Sequence, residues 1–172
     1  MRCGLLGEKL GHSYSPQIHA LLSDYSYELF EKTPQQLEEF LRYGQFHGLN
    51  VTIPYKKAVI PYCNKLSAEA EKLGAVNTII RNSDGILTGH NTDYFGFQYM
   101  LKKSRLDVSG KKVLILGSGG AAVTIYFVLQ AAGALPVIIS RHGVNNYQNL
   151  HLHKDTAVIV NATPVGMYPN TG

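Results

Sequence analysis

Apolar residues recur along the chain at two spacings, one typical of strands and the other of amphipathic helices. In the first part of the sequence these patterns predict short strands at 3–7, 25–29, 48–52, 76–81 and 86–88. Helices are predicted between them: Ser15 followed by Pro16 marks one helix start, and Ser67 and Gly74 bracket another helix. Strands and helices therefore alternate, as in an α/β protein.

The pattern changes beyond a polar segment that begins near residue 104. A continuous apolar strand at 113–116 is followed by a glycine turn, a helix to Gln130 and a second strand at 135–140. A third strand is predicted at 156–160. A strand, a helix and a strand in this order form a βαβ unit with parallel pairing and a right-handed crossover. We place a domain boundary near residue 104.

Composition restricts the classes of protein that these elements can build. Of the 172 residues, 45% are apolar and 16% are charged, which favours a packed core over disorder. No apolar run reaches the ~20 residues of a membrane-spanning helix, and no signal peptide is recognised at the start. The two cysteines are too few for a disulfide framework, and we expect a cytoplasmic protein. The net charge of +4 is scattered, so nucleic-acid binding is not predicted.

The glycine turn matches the G-x-G-x-x-A pattern of dinucleotide-binding sites. It reads Gly117, Ser118, Gly119, Gly120, Ala121, Ala122 and lies between a strand and a helix. In such a turn the glycines allow a tight bend and a close approach of backbone to a pyrophosphate, which faces the helix N-terminus. The second strand ends in Ser140-Arg141-His142 without a carboxylate. Because Arg141 could pair with a 2′-phosphate, NADP is favoured over NAD.

Polar segments at the predicted strand ends supply candidate residues for a second ligand. They are Gly11 to Pro16, Asn50 to Lys56, Gly74 to Thr78 and Gly89 to Asp93. Each has an ordinary structural alternative: Ser15 caps a helix, Asn77 bonds a turn, and Asp93 starts a helix. A cofactor site in the same chain requires a substrate site as well, which favours a functional role for some of these residues.

The motifs together resemble those of the shikimate dehydrogenases. Motifs of that family appear in family order along nearly the whole chain: Ser-x-Ser-Pro at 13–16, Asn-Val-Thr-x-Pro-x-Lys at 50–56, Gly-Ala-Val-Asn-Thr at 74–78, Asn-Thr-Asp at 91–93, the glycine turn, and Asn-Ala-Thr-Pro-Val-Gly-Met at 161–167. The resemblance implies an oxidoreductase of the shikimate pathway, in which NADPH reversibly reduces the ketone of 3-dehydroshikimate to the hydroxyl of shikimate. It also implies an N-terminal α/β substrate domain, residues 1–104, followed by an incomplete Rossmann-like NADP-binding domain, residues 105–172.

The resemblance also assigns roles to individual residues. Ser13 and Ser15 would hold the substrate carboxylate, while Thr52, Asn77 and Asp93 would bind ring oxygens. Lys56 and Asp93 would form the catalytic pair, and which of them carries the proton is left open. The residues implied to bind the cofactor are Gly117, Ser118, Gly119, Gly120, Ala121, Ser140, Arg141, Asn161 and Thr163.

Three departures from the family pattern qualify the expectation. First, the second strand of this domain ends in Ser140-Arg141-His142, where the family often has Asn-Arg-Thr. Second, the segment 141–155 is short. The histidines of this segment show no metal-ligand pattern, so no metal is predicted. The chain also ends soon after the last motif, whereas family members continue, so we expect a truncated member. The last strand, which the chain leaves uncovered, favours either a homodimer or a poorly ordered second domain. Two alternatives stay open: a quinate/shikimate dehydrogenase with relaxed cofactor use, and a binding-only module.

Overall fold

The computed structural model describes residues 1–11, 13–22 and 24–166. His12, in the polar segment 11–16, and Met167, in the last motif, therefore lie outside the described residues. The chain divides into two compact units, Met1–Thr92 and a second that begins at Asp93.

The first unit is built on a mixed β-sheet flanked by helices. Its strands are β1 (Arg2–Gly7), β2 (Ser26–Glu31), β3 (Gly48–Val51), β4 (Lys65–Leu66), β5 (Thr78–Arg81) and β6 (Leu87–His90), arranged in the order β2-β1-β3-β5-β6-β4. The strands β2, β1 and β3 are parallel, and β5 runs antiparallel to β3 and β6. Its helices are α1 (Ser15–Leu22), α2 (Leu37–Tyr43) and α3 (Ala68–Leu73).

Local sequence determines where the helices of this unit start and stop. The Ser67 side chain accepts a hydrogen bond from the Ala70 backbone N–H and caps α3, as the sequence predicts. Gly74 then ends α3 at φ +58°, a left-handed conformation that glycine adopts at little cost. Leu41 of α2 is fully buried with Leu6 and Leu49 of the sheet, so α2 packs on that face. Burial of this apolar face is what holds helix and sheet together.

The second unit contains a three-stranded parallel sheet with two long helices. Its elements are α4 (Asp93–Ser104), β7 (Lys112–Leu116), α5 (Gly120–Ala131), β8 (Leu135–Ile139) and β9 (Val158–Asn161). The strand order is β8-β7-β9, with both neighbours parallel to β7. The predicted parallel βαβ unit is thus confirmed, and with it the α/β class.

The boundary between the units falls before α4, at Thr92, and not near residue 104. Phe97 and Leu101 on α4 pack against the core of the second unit beside Ile125 and Leu129 of α5. Helix α4 therefore belongs with the later strands. The roles assigned to the two domains stay predictions.

The strand β9 lies at an edge of the second sheet, where the sequence analysis expects an uncovered apolar strand. Ile159 in its middle is 62% exposed. The predicted homodimer would cover this strand, and it stays a prediction. Among the described residues, no helix combines the length and apolar character needed to cross a bilayer.

Candidate active site

The Lys56 segment is fixed by backbone hydrogen bonds directly after β3. Thr52 follows the end of that strand, and its N–H donates to the Leu6 carbonyl at 2.9 Å. Tyr55 is buried, which anchors the turn in the core. The Val76 N–H donates to the Lys56 carbonyl at 2.7 Å, so the backbone of Lys56 is tied to the segment that carries Asn77. The half-buried side chains of Thr52 and Lys56 therefore belong to one turn, which backbone hydrogen bonds hold in place.

Asn77 lies in the buried centre of this part of the unit, 8% exposed, just before β5. Its Oδ1 accepts a hydrogen bond from the Thr92 N–H at 2.9 Å, and its Nδ2 donates to the Thr92 hydroxyl at 3.0 Å. A primary amide carries two N–H groups, and the Thr92 bond uses one of them. Asn77 therefore braces the chain at Thr92, and among the described residues its Nδ2 donates to the Thr92 hydroxyl alone, which leaves one N–H for a second role. Both interpretations of Asn77, structural and functional, are compatible with its position.

Replacing Asn77 by alanine is expected to lower the free energy of unfolding by about 1–3 kcal/mol, because both hydrogen bonds between this buried side chain and Thr92 are lost. Urea denaturation measures this change. Thr78→Val is the matched control: it removes only the hydroxyl that donates to the same Oδ1 at 3.1 Å and should cost less than about 1 kcal/mol. Equal losses in the two variants would contradict the bracing role of Asn77.

Ser13 and Ser15 lie between β1 and α1 and are joined to each other. The Ser15 N–H donates to Ser13 Oγ at 3.2 Å, and both residues are half-buried. On β2, the Tyr27 hydroxyl donates to Asn50 Oδ1 at 2.6 Å. Burial raises the pKa of Tyr27 to about 12, so its hydroxyl stays protonated at neutral pH. The Tyr27–Asn50 bond connects β2 to the strand that leads to Thr52.

Asp93 is the first residue of α4 and so belongs to the second unit. A carboxylate at a helix N-terminus is stabilised by the helix dipole, which explains the residue type there without any function. The side chain is half-buried. The pairing of Asp93 with Lys56 stays a prediction.

The glycine turn of the second unit has the backbone geometry that its motif requires. Gly117 has φ +110°, and a Cβ there would lie 2.9 Å from the Ala162 carbonyl oxygen. The third motif position, Ala122, is completely buried, so helix and sheet approach closely at this point. Gly119 caps the start of α5, and Cβ atoms added at Gly119 or Gly120 would meet nothing within 4 Å. The space that opens at this helix N-terminus, beside Ser118 and Ala121, fits the pyrophosphate of a dinucleotide.

The other predicted cofactor residues lie at the same edge of the sheet. Ser140 and Arg141 follow β8, and Asn161 ends β9, while β7 between these strands leads into Gly117. Asn161 Oδ1 accepts hydrogen bonds from the Thr163 N–H at 3.0 Å and the Thr163 hydroxyl at 2.7 Å. The Arg141 side chain is exposed. Ligands of open α/β sheets bind at this carboxyl edge, so the structure gathers the predicted cofactor residues in the expected place.

Two alanine variants separate the structural from the ligand-binding role of this turn. Gly117→Ala is expected to lower the free energy of unfolding by about 1–3 kcal/mol, because alanine is strained at this φ and clashes with Ala162. Gly119→Ala, at φ −77°, should change stability by less than about 0.5 kcal/mol and should weaken NADP binding, because its methyl group enters the open space. Thermal unfolding and cofactor titration measure the two effects. Unchanged NADP affinity in Gly119→Ala would place the pyrophosphate elsewhere.

Residues that support the site were missed in the sequence, since their contacts are long-range. Tyr27 and Asn50 are 23 positions apart, and Thr92 meets Asn77 across 15 positions. Tyr27 fits an ordinary strand pattern. The one signal in the sequence is its polar hydroxyl on a strand that is half-buried.

Two surface cavities of about 350 and 370 Å³ contain none of the predicted site residues. In the first, Arg81 donates from Nη2 to the Leu41 carbonyl at 2.7 Å, so it serves the end of α2.

Comparisons with known proteins relate the whole chain to one group of enzymes. Residues 5–79 match the family described as "Shikimate dehydrogenase substrate binding domain". A shikimate dehydrogenase (NADP(+)) of Clostridium perfringens is 38% identical over 98% of this chain and 70% of its own length. The chain thus spans about 70% of that relative.

Solved structures agree with the sequence comparison. Shikimate dehydrogenase 1 from Peptoclostridium difficile is 37% identical, with a TM-score of 0.87 over 99% of this chain and 70% of that one. A Thermus thermophilus shikimate 5-dehydrogenase in complex with NADP(H) and shikimate is 33% identical, with a TM-score of 0.80 over 96% of this chain and 69% of that one. The likeness in fold therefore extends through both units.

Proposed function

The chain belongs to the shikimate dehydrogenase family, and on this premise we propose that it catalyses the reversible, NADPH-dependent reduction of 3-dehydroshikimate to shikimate. The observation that carries the proposal is 38% identity to an NADP(+)-dependent shikimate dehydrogenase over 98% of the chain. That span includes every predicted site residue of both units. The reaction belongs to the biosynthesis of aromatic amino acids.

The substrate is bound by polar groups at the strand ends of the first unit. Ser13 and Ser15 supply hydroxyl donors for the substrate carboxylate, which charge-assisted hydrogen bonds hold firmly. Thr52 and Asn77 bind ring hydroxyls of the substrate. Asn77 does so with its second side-chain N–H, the one that does not donate to Thr92. The support for this assignment is that Thr52 and Asn77 belong to segments joined by backbone hydrogen bonds.

Proton transfer falls to Lys56 and Asp93. Bound NADPH supplies the hydride, and negative charge then develops on the substrate carbonyl oxygen. The Lys56 ammonium group can stabilise that oxygen and protonate it. Asp93 orients the Lys56 amino group. In the reverse direction Lys56, which is neutral after it has given up its proton, takes the proton back from the shikimate hydroxyl.

The cofactor is NADP, held at the carboxyl edge of the second sheet. The turn Gly117 to Ala121 and the first N–H groups of α5 bind the pyrophosphate. Arg141, with Ser140 beside it, binds the 2′-phosphate, which distinguishes NADP from NAD. Asn161 and Thr163 shape the turn after β9 that closes this edge.

A direct assay tests the proposed activity. Mixing the protein with shikimate and NADP⁺ should produce the near-ultraviolet absorbance of NADPH, and the rate with NAD⁺ should be much lower. Equal rates with quinate, or with NAD⁺, would favour the quinate/shikimate alternative with relaxed cofactor use. Binding of shikimate in a calorimeter without any NADPH formation would identify a binding-only module. If the protein neither turns over nor binds shikimate, the proposal is refuted.

The expected setting of the enzyme follows from the same assignment. Its partners are small molecules, and we expect no interaction with nucleic acid or membrane. We also expect it to act in the cytoplasm and to form a homodimer, with the exposed β9 around Ile159 as the candidate interface.

A further inference from the structure

The backbone of Asn77 is held on both sides by neighbouring strands. Its N–H donates to the His90 carbonyl at 3.0 Å, and its carbonyl accepts the Val51 N–H at 2.8 Å. Asn77 thus lies between the ends of β6 and β3, and the torsions that remain are those of its side chain. The last of these, χ2, has no sharp preference in asparagine. Neighbouring groups therefore decide in which direction the carboxamide donates.

Thr92 contacts both ends of that carboxamide. Its N–H donates to Asn77 Oδ1 at 2.9 Å, and its hydroxyl accepts from Asn77 Nδ2 at 3.0 Å. A backbone N–H can only donate, so the carboxamide atom facing it is the oxygen, and the atom facing the hydroxyl is the nitrogen. One residue consequently determines both the orientation and the plane of the amide.

The second N–H of Asn77 takes its direction from the first. An amide group is planar, and its two N–H bonds diverge within that plane, so an N–H bonded to the Thr92 hydroxyl turns the other away from Thr92. The Thr78 hydroxyl also contacts the carboxamide, but it donates to Oδ1, at 3.1 Å. Within the described part of the chain, the Thr92 hydroxyl is therefore the group that holds the nitrogen.

We propose that Thr92 is a positioning residue, whose hydroxyl directs the second N–H of Asn77 toward a ring hydroxyl of the substrate. The inference rests on the proposed function, because it takes Asn77 as a ligand of that hydroxyl. Thr92 acts through Asn77, so its contribution lies in substrate binding and not in proton transfer. A ring hydroxyl that does not react keeps its bond in the ground state and the transition state alike, so the bond lowers KM without raising kcat.

The test is the variant Thr92→Val, which keeps the shape of the side chain and the backbone N–H and removes the hydroxyl. We expect KM and Kd for shikimate to rise about three- to tenfold, the usual effect of one hydrogen bond. The kcat and the KM for NADP⁺ should change less than about twofold. Thr92→Ser, which restores the hydroxyl, should bring KM and Kd back to within about twofold of the wild type.

The matched control is Thr78→Val, which removes a hydroxyl from the oxygen end of the same carboxamide. It should leave KM and Kd for shikimate within about twofold of the wild type, because the Thr92 N–H still holds Oδ1 and the Thr92 hydroxyl still holds Nδ2. Circular dichroism shows that each variant is folded under the conditions of the assay.

A double-mutant cycle shows whether the effect passes through Asn77. Thr92→Val should add almost nothing to the KM of Asn77→Ala, because the carboxamide that it orients is already gone. Additive effects, no recovery in Thr92→Ser, or an unchanged KM in Thr92→Val would each overturn the inference. A fall in kcat at unchanged KM would also overturn it, because Thr92 would then act on the adjacent Asp93.

Failure of the proposed function is recognised separately, from the wild type. Turnover of shikimate by the wild-type protein is measured first, and its absence counts against the proposed activity alone. The Kd for shikimate still tests the role of Thr92 in a protein that binds without turnover, because the predicted effect lies in binding.

Discussion

Replacing Lys56 by methionine is expected to lower kcat about 10²–10⁴-fold, the range by which a positioned general acid–base group accelerates proton transfer. Methionine keeps an unbranched apolar stem of similar length, so packing around the turn changes little. The KM for shikimate should change much less than kcat, because the ammonium group acts on the oxygen where charge develops during reaction. Steady-state kinetics in both directions measure the two constants.

The neighbouring lysine provides the control for this experiment. Lys57 is exposed and follows Lys56 directly, so Lys57→Met removes the same charge from the same turn. Its kcat should stay within about twofold of the wild type. Near-normal turnover in Lys56→Met would remove Lys56 from the mechanism. An equal loss in Lys57→Met would show that overall charge, and not a placed proton donor, governs the rate.

Replacing Arg141 by glutamine is expected to raise the KM for NADP⁺ by roughly 10²-fold and to leave the KM for NAD⁺ nearly unchanged, because a bidentate charge-assisted contact to the 2′-phosphate is lost. Only NADP carries that phosphate, so the ratio of the two constants isolates the contact. The preference for NADP over NAD should therefore shrink by the same factor. Kinetic titration of both cofactors at fixed shikimate measures it.

A second cation on the same unit tests whether the effect depends on position. Lys103 on α4 is exposed, and Lys103→Gln removes one positive charge without touching the carboxyl edge of the sheet. Cofactor preference should be unaffected in this variant. Equal weakening of NADP⁺ and NAD⁺ in Arg141→Gln would mean that Arg141 supports the strand end and does not recognise the phosphate.

Local features of the fold could be predicted from the sequence because their causes are local. The serine cap at Ser67, the left-handed Gly74 and the glycine turn at Gly117 each depend on a few adjacent residues with restricted geometry. The parallel β7–α5–β8 unit follows from handedness rules that leave few alternatives. The strand β4 was missed, since two residues are too short to show an alternating pattern.

The domain boundary could not be predicted, because it depends on which core an amphipathic helix joins. The apolar residues Phe97 and Leu101 show that α4 has a buried face. The same pattern is expected whether that face packs on the first unit or on the second. The contacts of Asn77 with Thr92 and of Tyr27 with Asn50 were hidden for a similar reason. Such bonds depend on strand order and register, which single-residue patterns do not carry.

The measurement that tests the central claim most directly uses shikimate with deuterium at the carbon whose hydroxyl is oxidised. Incubated with the protein and NADP⁺, it should yield NADPH that carries one deuterium for each 3-dehydroshikimate formed, as read by mass spectrometry. Lys56→Met should transfer the same label at a much lower rate. Reduced cofactor without deuterium, or labelled shikimate recovered unchanged although it binds, would contradict the assignment of this chain as an NADP-dependent shikimate dehydrogenase.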